Sequence, residues 1–298
     1  MPNSEAPPMT SEPGTSFSNY PAPAKLNLFL HVVGRRADGY HELQTVFRFL
    51  DVGDRLDIRV RDDGDIVRAN AVEGLPAESD LCVRAARLLR TRTGTALGAE
   101  IRLDKRLPMG GGLGAGSSDA ATVLIVLNRL WKLDLTRAQL MAIAGELGAD
   151  VPVFVFGESA WGEGIGERLT PIALPQAWYV VLVPPVKVST ATIFDHPELT
   201  RNSNRIKMSA FFAGGVRNDL EPVVCRLYPA IREYLDWLRR QAPARLTGSG
   251  ACVFASFEGE REAHQVFAAR PPHMQGFVAQ GLHHHPLRDM TLGSRQAG

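Results

Sequence analysis

Cysteine is scarce in this 298-residue chain. Cys82, Cys225 and Cys252 stand far apart and match neither a disulfide framework nor zinc-ligand spacing. They read as small buried hydrophobes in a reducing compartment, which points to the cytoplasm. Net charge is almost absent too, at +1, so there is no electrostatic case for nucleic acid or for an anionic membrane as partner. No run of about 18 apolar residues occurs, and no membrane-spanning helix is expected. Residues 1–19 have neither the basic start nor the apolar stretch of a signal peptide. Rich in Pro, Ser, Glu and Thr, they are expected to form a disordered leader. With 45% hydrophobic and 22% charged residues, the remainder has the make-up of a globular protein long enough for two domains. Oligomeric state is not legible.

What is present centres on Leu107-Pro-Met-Gly-Gly-Gly-Leu-Gly-Ala-Gly-Ser-Ser118. Before it, Ala99–Asp104 alternates apolar and polar residues like a half-buried strand. After it, Ala120, Val123, Leu124, Leu127, Leu130 and Trp131 recur at helical spacing and predict one buried helix face. A glycine loop feeding a helix N-terminus offers unpaired N–H groups and the positive end of the helix dipole, which together suit a phosphate. Ser117 and Ser118 either cap the helix or hydrogen-bond phosphate oxygens. No Lys follows the glycines, so the loop is not a Walker A motif. Asp134 follows the helix rather than a second strand, which weakens a dinucleotide reading.

Elsewhere, residues 20–33 alternate as a strand, with Ala24, Leu26, Leu28, Leu30 and Val32 on one face. Lys25 and Asn27 therefore share the other, as a polar site or as a solvated edge. Arg36–His41 is a turn-rich loop. Residues 42–50 and 56–60 read as separate strands divided by Asp51-Val-Gly-Asp54, and residues 80–91 as a helix whose Arg84, Arg87 and Arg90 form a solvated stripe. Thr136-Arg-Ala-Gln139 predicts a capping box, and the helix it opens leads to Asp150-Val-Pro152. Asp150 is either an N-cap or a carboxylate held at the edge of a dry site, able to accept a proton. Residues 161–168 suggest a hairpin or lid, and residues 169–175 a domain boundary. Residues 178–183 predict a strand, Ser189 and Thr190 a helix cap, and residues 195–217 mostly loop. Helices are expected from Asn218 and from Pro229. Arg245–Ala255 suggests either a hairpin turn or a third Gly/Ser loop able to close on a phosphate. His283-His-His285 is expected to be a solvated tail, since three consecutive His do not converge on one ion.

In order along residues 20–290, Pro23–Leu30, Arg36–His41, the loop 107–118, Gly148–Pro152, Asn218–Glu221 and Leu246–Cys252 resemble motifs of the GHMP small-molecule kinases. The first two resemble the branch whose acceptor is a cytidyl-linked polyol of the non-mevalonate isoprenoid pathway. The resemblance implies an α+β, two-domain fold, residues 20–170 and 171–298, with the active site in the cleft between them. It implies ATP as phosphoryl donor, Mg²⁺ with unassigned ligands, and a small-molecule partner. Asp150 would be the catalytic base and Lys25 its partner, either steadying that carboxylate or meeting the transferred phosphoryl group. Pro108, Met109, Gly110, Gly111, Gly112, Leu113, Gly114, Ala115, Gly116, Ser117 and Ser118 would hold the ATP phosphates. Asn27, Tyr40, His41 and Phe194 would bind the acceptor, the last three near its cytosine. Ala115 departs from the pattern, where Gly is expected; a methyl is tolerable there if φ stays negative.

Overall fold

Alternating apolar residues carry the start of the chain into two long antiparallel strands, β1 (Tyr20–Arg35) and β2 (His41–Arg61), joined by a tight turn. The computed structural model describes residues 19–291, so the leader expected over residues 1–19 lies, Asn19 apart, outside the described residues. β2 does not break at Asp51–Asp54 as predicted. It runs through, because β1 stays paired to it there: Ala22 faces Asp54, and Pro23 faces Gly53. Asp54 is a buried acceptor rather than a turn residue, taking the N–H groups of Arg106 and Leu107 and the Lys105 ammonium.

Next come β3 (Ile66–Arg68), α1 (Leu81–Thr93), β4 (Gly98–Asp104), α2 (Ala115–Leu130), α3 (Arg137–Leu147) and α4 (Val151–Phe156). Caps set the helix starts. The Asp80 carboxylate accepts from the Cys82 N–H at 2.8 Å, and Thr136 and Gln139 form the expected capping box. The helix after the glycines is buried on nearly every side from Ala120 to Asn128, not on one face as its spacing suggested. The sheet lies on one side of it, and α1, α3 and α4 pack round the rest. An all-round apolar helix is what such a position requires.

The second half contains β5 (Ala160–Gly164) and β6 (Arg168–Pro171), a hairpin as read, then β7 (Trp178–Val183), α5 (Thr190–Asp195), α6 (Met208–Phe212), α7 (Glu221–Leu227), α8 (Pro229–Arg239), β8 (Ala244–Leu246), β9 (Val253–Phe257), α9 (Glu260–Ala268) and β10 (Gln275–Leu282). Among the described residues the strands form one mixed sheet. Along its second edge β2 receives β5, then β10, then β4 in succession. β10 also pairs with β7, which continues the sheet into β9 and β8.

Three apolar clusters matter for the site. One lies between the sheet and α1–α4, including Leu89, Leu124 and Phe154. A second, beneath α7 and α8, takes Leu30 and Val32 from β1. A third, with Leu26, Leu113, Tyr179 and Cys252, joins β1 and the glycine loop to β7 and β9. Each large side chain fully buried there stabilises by about 1.5–3 kcal/mol. The expected solvated tail at His283–His285 is wrong for its last member. Past β10 the chain runs back along residues 157–159, and His285 is buried edge-on against Phe49 and Phe154.

Candidate active site

The strand period places Lys25 and Asn27 side by side, and burial makes that placement consequential. Lys25 is 2% exposed, the opposite of a solvated edge. Its ammonium donates to Asn27 Oδ1 at 2.5 Å and to the Gly112 carbonyl at 3.2 Å, and lies 3.1 Å from Asp150 Oδ2. A buried ammonium needs such partners, because an unpaired one is expensive to desolvate. Asn27 is fixed in turn by Thr45, which accepts from its Nδ2 at 2.9 Å, and by Thr247, whose hydroxyl accepts from its backbone N–H at 3.0 Å.

Asp150 occupies the N-cap position of α4 but makes no capping hydrogen bond. With Pro152 in the first helical turn, one of the donors a cap would satisfy is absent. The carboxylate turns instead to Lys25, and at 36% exposure remains open to the cavity.

In the glycine loop the serine-cap alternative fails. Gly114, at φ +69°, is the N-cap of α2, while Ser117 and Ser118 sit inside the first turn. The first helical bond runs from the Ser118 N–H to the Gly114 carbonyl, which leaves the N–H groups of residues 115–117 without intrahelical acceptors. Ala115 has no positive φ and is buried, so its methyl is accommodated. Gly112, at φ +76°, lies so close to the Thr247 carbonyl that a Cβ would fall 2.3 Å from it. The Gly248–Gly250 turn is thereby packed against the glycine loop, and Ser249 Oγ meets Thr190 Oγ1 at 2.7 Å.

Two cavities flank this loop. The larger, about 690 Å³, is lined by Lys25, Asp150, Tyr40, His41, Phe194 and Ser249 among others. The smaller, about 330 Å³, reaches from Pro108 toward Leu75, Asp80 and Lys105. Gly110, Gly112 and Ser117 line both, so the loop is the wall between them. At its foot Lys105 bridges Asp54 and Asp119, each at 2.6 Å. Burial pushes the Asp119 carboxyl up to about 8, against the pull of Lys105 and with the help of Asp54.

At the far end of the larger cavity, His41 opens β2 and is buried, its ring 5.1 Å from that of Phe194 on α5. Tyr40 is 60% exposed at the rim. Arg201 donates from Nε to His41 Nε2 at 3.0 Å. Burial lowers the His41 pKa, with Arg201 and Arg35 adding to the effect and Asp195 opposing it. Of the sequence-predicted site residues, Pro108, Met109, Gly111, Leu113, Gly114, Ala115 and Gly116 line the smaller cavity only, Ser118 is wholly buried, and the rest line the larger cavity. Thr45 and Arg201 were missed. Thr45 lies in an alternating strand where a Thr is unremarkable, and Arg201 lies in a stretch with no periodicity to mark it.

The same arrangement has counterparts among known proteins. The description "GHMP kinases N terminal domain" matches residues 80–158 and "GHMP kinases C terminal" matches residues 198–272. A 4-diphosphocytidyl-2-C-methyl-D-erythritol kinase of Thiobacillus denitrificans is 62% identical over 272 residues, covering 91% of this chain and 98% of that one. One from Nitrosospira multiformis is 60% identical over 274 residues, with 91% and 93% covered. A crystal structure of 4-(cytidine 5'-diphospho)-2C-methyl-D-erythritol kinase superposes with a TM-score of 0.78 at 34% identity, over 88% of this chain and 98% of that one. A mevalonate kinase structure, at 14% identity and TM-score 0.65 over 88% and 98%, shares the fold. The chain therefore belongs to the GHMP kinases, ATP-dependent phosphotransferases of mixed α and β structure, and within them to the 4-diphosphocytidyl-2-C-methyl-D-erythritol kinase family.

Proposed function

We propose that this chain transfers the γ-phosphoryl group of ATP to the 2-hydroxyl of 4-diphosphocytidyl-2-C-methyl-D-erythritol, a step of the non-mevalonate isoprenoid pathway. The observation that carries the reading is the Lys25–Asp150 pair, 3.1 Å apart, in the acceptor-sized cavity directly across the glycine loop from a second, smaller one. Donor nucleotide on one side and alcohol on the other would meet at the loop.

Phosphoryl transfer asks for positioning and charge stabilisation more than for covalent chemistry. The free N–H groups at the start of α2 face developing phosphate charge in this reading, where prearranged donors act most strongly. Asp150 orients the acceptor hydroxyl and takes its proton as the oxygen attacks phosphorus and ADP departs. Lys25, buried and tied to Asn27 and the Gly112 carbonyl, holds the carboxylate in place. At the other end His41 and Phe194 receive the cytosine, with Tyr40 folding over it from the rim.

For Mg²⁺ the donor set decides the fit. Among the described residues no group of three or more His, Cys, Asp or Glu could hold a metal, so a centre held by protein ligands alone does not fit. Ser117 and Asp150 at the cavity wall do suit the small protein share that Mg²⁺ takes when phosphates supply most of its ligands. When bound, the ion neutralises phosphate oxygens. Division at residues 170 and 171 into two domains belongs to the same reading, supported by the separate first and second cores. The three buried free thiols fit the cytoplasm.

The test is ADP release over a panel of acceptors. The cytidyl-linked methylerythritol should turn over with kcat/KM at least about 10³-fold above mevalonate, homoserine and galactose, since a site built to hydrogen-bond a group rejects analogues lacking it. Preference for one of the plain alcohols would replace this reading with another GHMP activity.

A further inference from the structure

Arg201 has five donors and no acceptor, as every guanidinium does. Its Nη1 donates to the Leu199 carbonyl at 3.2 Å, and its Nη2 to the carbonyls of Phe194 and His196, each at 2.8 Å. Its Nε donates to His41 Nε2 at 3.0 Å. A nitrogen that receives a hydrogen bond must present a lone pair. His41 is therefore neutral, and its proton sits on Nδ1. Nδ1 lies across the ring from that bond, and His41 lines the larger cavity.

We propose that Arg201 is a specificity-determining positioning residue, which fixes His41 as an Nδ1–H donor so that the cavity takes a base with a ring acceptor and rejects one with a ring N–H. The proposal rests on the reading above, in which the acceptor's base lies against His41. Cytosine presents a lone pair at ring position 3, and uracil presents an N–H there. Two donors facing each other in a closed site leave both unpaired, which is how strong discrimination arises. The charges facing His41 act in the same sense. Arg201 and Arg35 of β1 resist a second proton on the ring, and burial adds to them, against Asp195 of α5. A neutral ring is what the hydrogen bond from Arg201 requires. The same guanidinium holds the carbonyl of Phe194, whose ring packs on His41, so donor and stacking wall are set by one side chain.

A purely structural Arg201 would bind the end of α5 and leave the His41 tautomer free. The experiment measures kcat/KM for cytidyl- and uridyl-linked acceptors on wild type, Arg201→Met and Arg201→Lys, together with the ¹⁵N imidazole spectrum of His41, assigned by its loss in His41→Asn. Wild type should carry the proton on Nδ1. In Arg201→Met the ring should shift toward Nε2–H and titrate at higher pH. The cytidyl preference should fall at least about tenfold, through acceptor KM more than kcat, with ATP KM unchanged. Arg201→Lys, which keeps one charged donor, should recover part of it. A wild-type ring protonated on Nε2 overturns the proposal, and stands as the decisive result even where Arg201→Met fails to fold. So does full cytidyl preference in Arg201→Met, or lost preference with the ring still on Nδ1. A wild type that does not distinguish the two acceptors fails the parent reading instead, and shows it before any variant is made.

Discussion

At the scale of single residues, Asp150 and His285 show how one position can go either way from sequence. Asp150 was open between cap and base, and its missing cap bond together with the Lys25 contact favours the base. Asp150→Asn keeps shape and hydrogen bonding to Lys25 but cannot take a proton. Its kcat should fall at least about 10²-fold, the usual scale for losing a general base, with ATP affinity by calorimetry within about twofold. His285 went against expectation. It is buried, accepts the Leu287 N–H on Nδ1 at 3.0 Å, and burial lowers its pKa to about 3. As pH falls below about 6.5, the unfolded chain takes up a proton that the folded chain refuses, so stability is lost progressively down toward the folded value. His285→Asn keeps an acceptor for that N–H without titrating. Its urea midpoint should vary less between pH 7 and pH 4 than that of wild type, whatever its value at pH 7. An equal slope in both proteins would refute the buried neutral ring.

Among the elements, the glycine loop was the most legible and also the most misjudged in detail. Its place between β4 and α2 followed from alternation and helical spacing. Its partners did not, since Lys25 lies on β1 and Thr247 just past β8, and nothing local marks them. Gly112 meets Thr247 and Gly114 meets Lys25: a Cβ on Gly114 would lie 3.0 Å from Lys25 Cε and Cγ and from Phe154, at a φ that side chains avoid. Gly114→Val should therefore weaken ATP binding at least about tenfold and displace Lys25 as well, lowering kcat at saturating nucleotide. Unchanged nucleotide affinity in a folded variant would remove the loop from phosphate binding. β2 was misread for an instructive reason. Asp-Val-Gly-Asp carries every local signal of a turn, but pairing to β1 there, with β10 and β4 holding the strand just before and just after, overrides local preference. Arg201 was illegible because a polar loop has no period from which to argue, and its importance arises only once residue 41 is folded against it.

For the whole molecule, the fold class was readable from motif order, while the way the two halves are joined was not. β10 closes the chain onto both, pairing with β2 at Leu50 and Phe49 and with the whole of β7. Arg48, wholly buried, donates to the Gly281 carbonyl at 3.0 Å and to the Pro175 carbonyl at 3.3 Å, pinning the seam. β1 is the other tie, because it sends Leu30 and Val32 into the second core and Leu26 into the third while carrying Lys25 and Asn27 on its opposite face. The Lys25 ammonium is thus borne by a strand that neither half can release separately. Turnover then serves as a reporter of global integrity. On heating, loss of activity and loss of near-ultraviolet ellipticity should follow one curve, with midpoints within about 2 °C. Activity vanishing well before the ellipticity would mean that β1 detaches from one core while the rest stands. If the curves coincide, selection for heat-resistant turnover in this chain is selection for a tighter seam, and variants could be ranked by a colony-scale kinase assay without measuring unfolding.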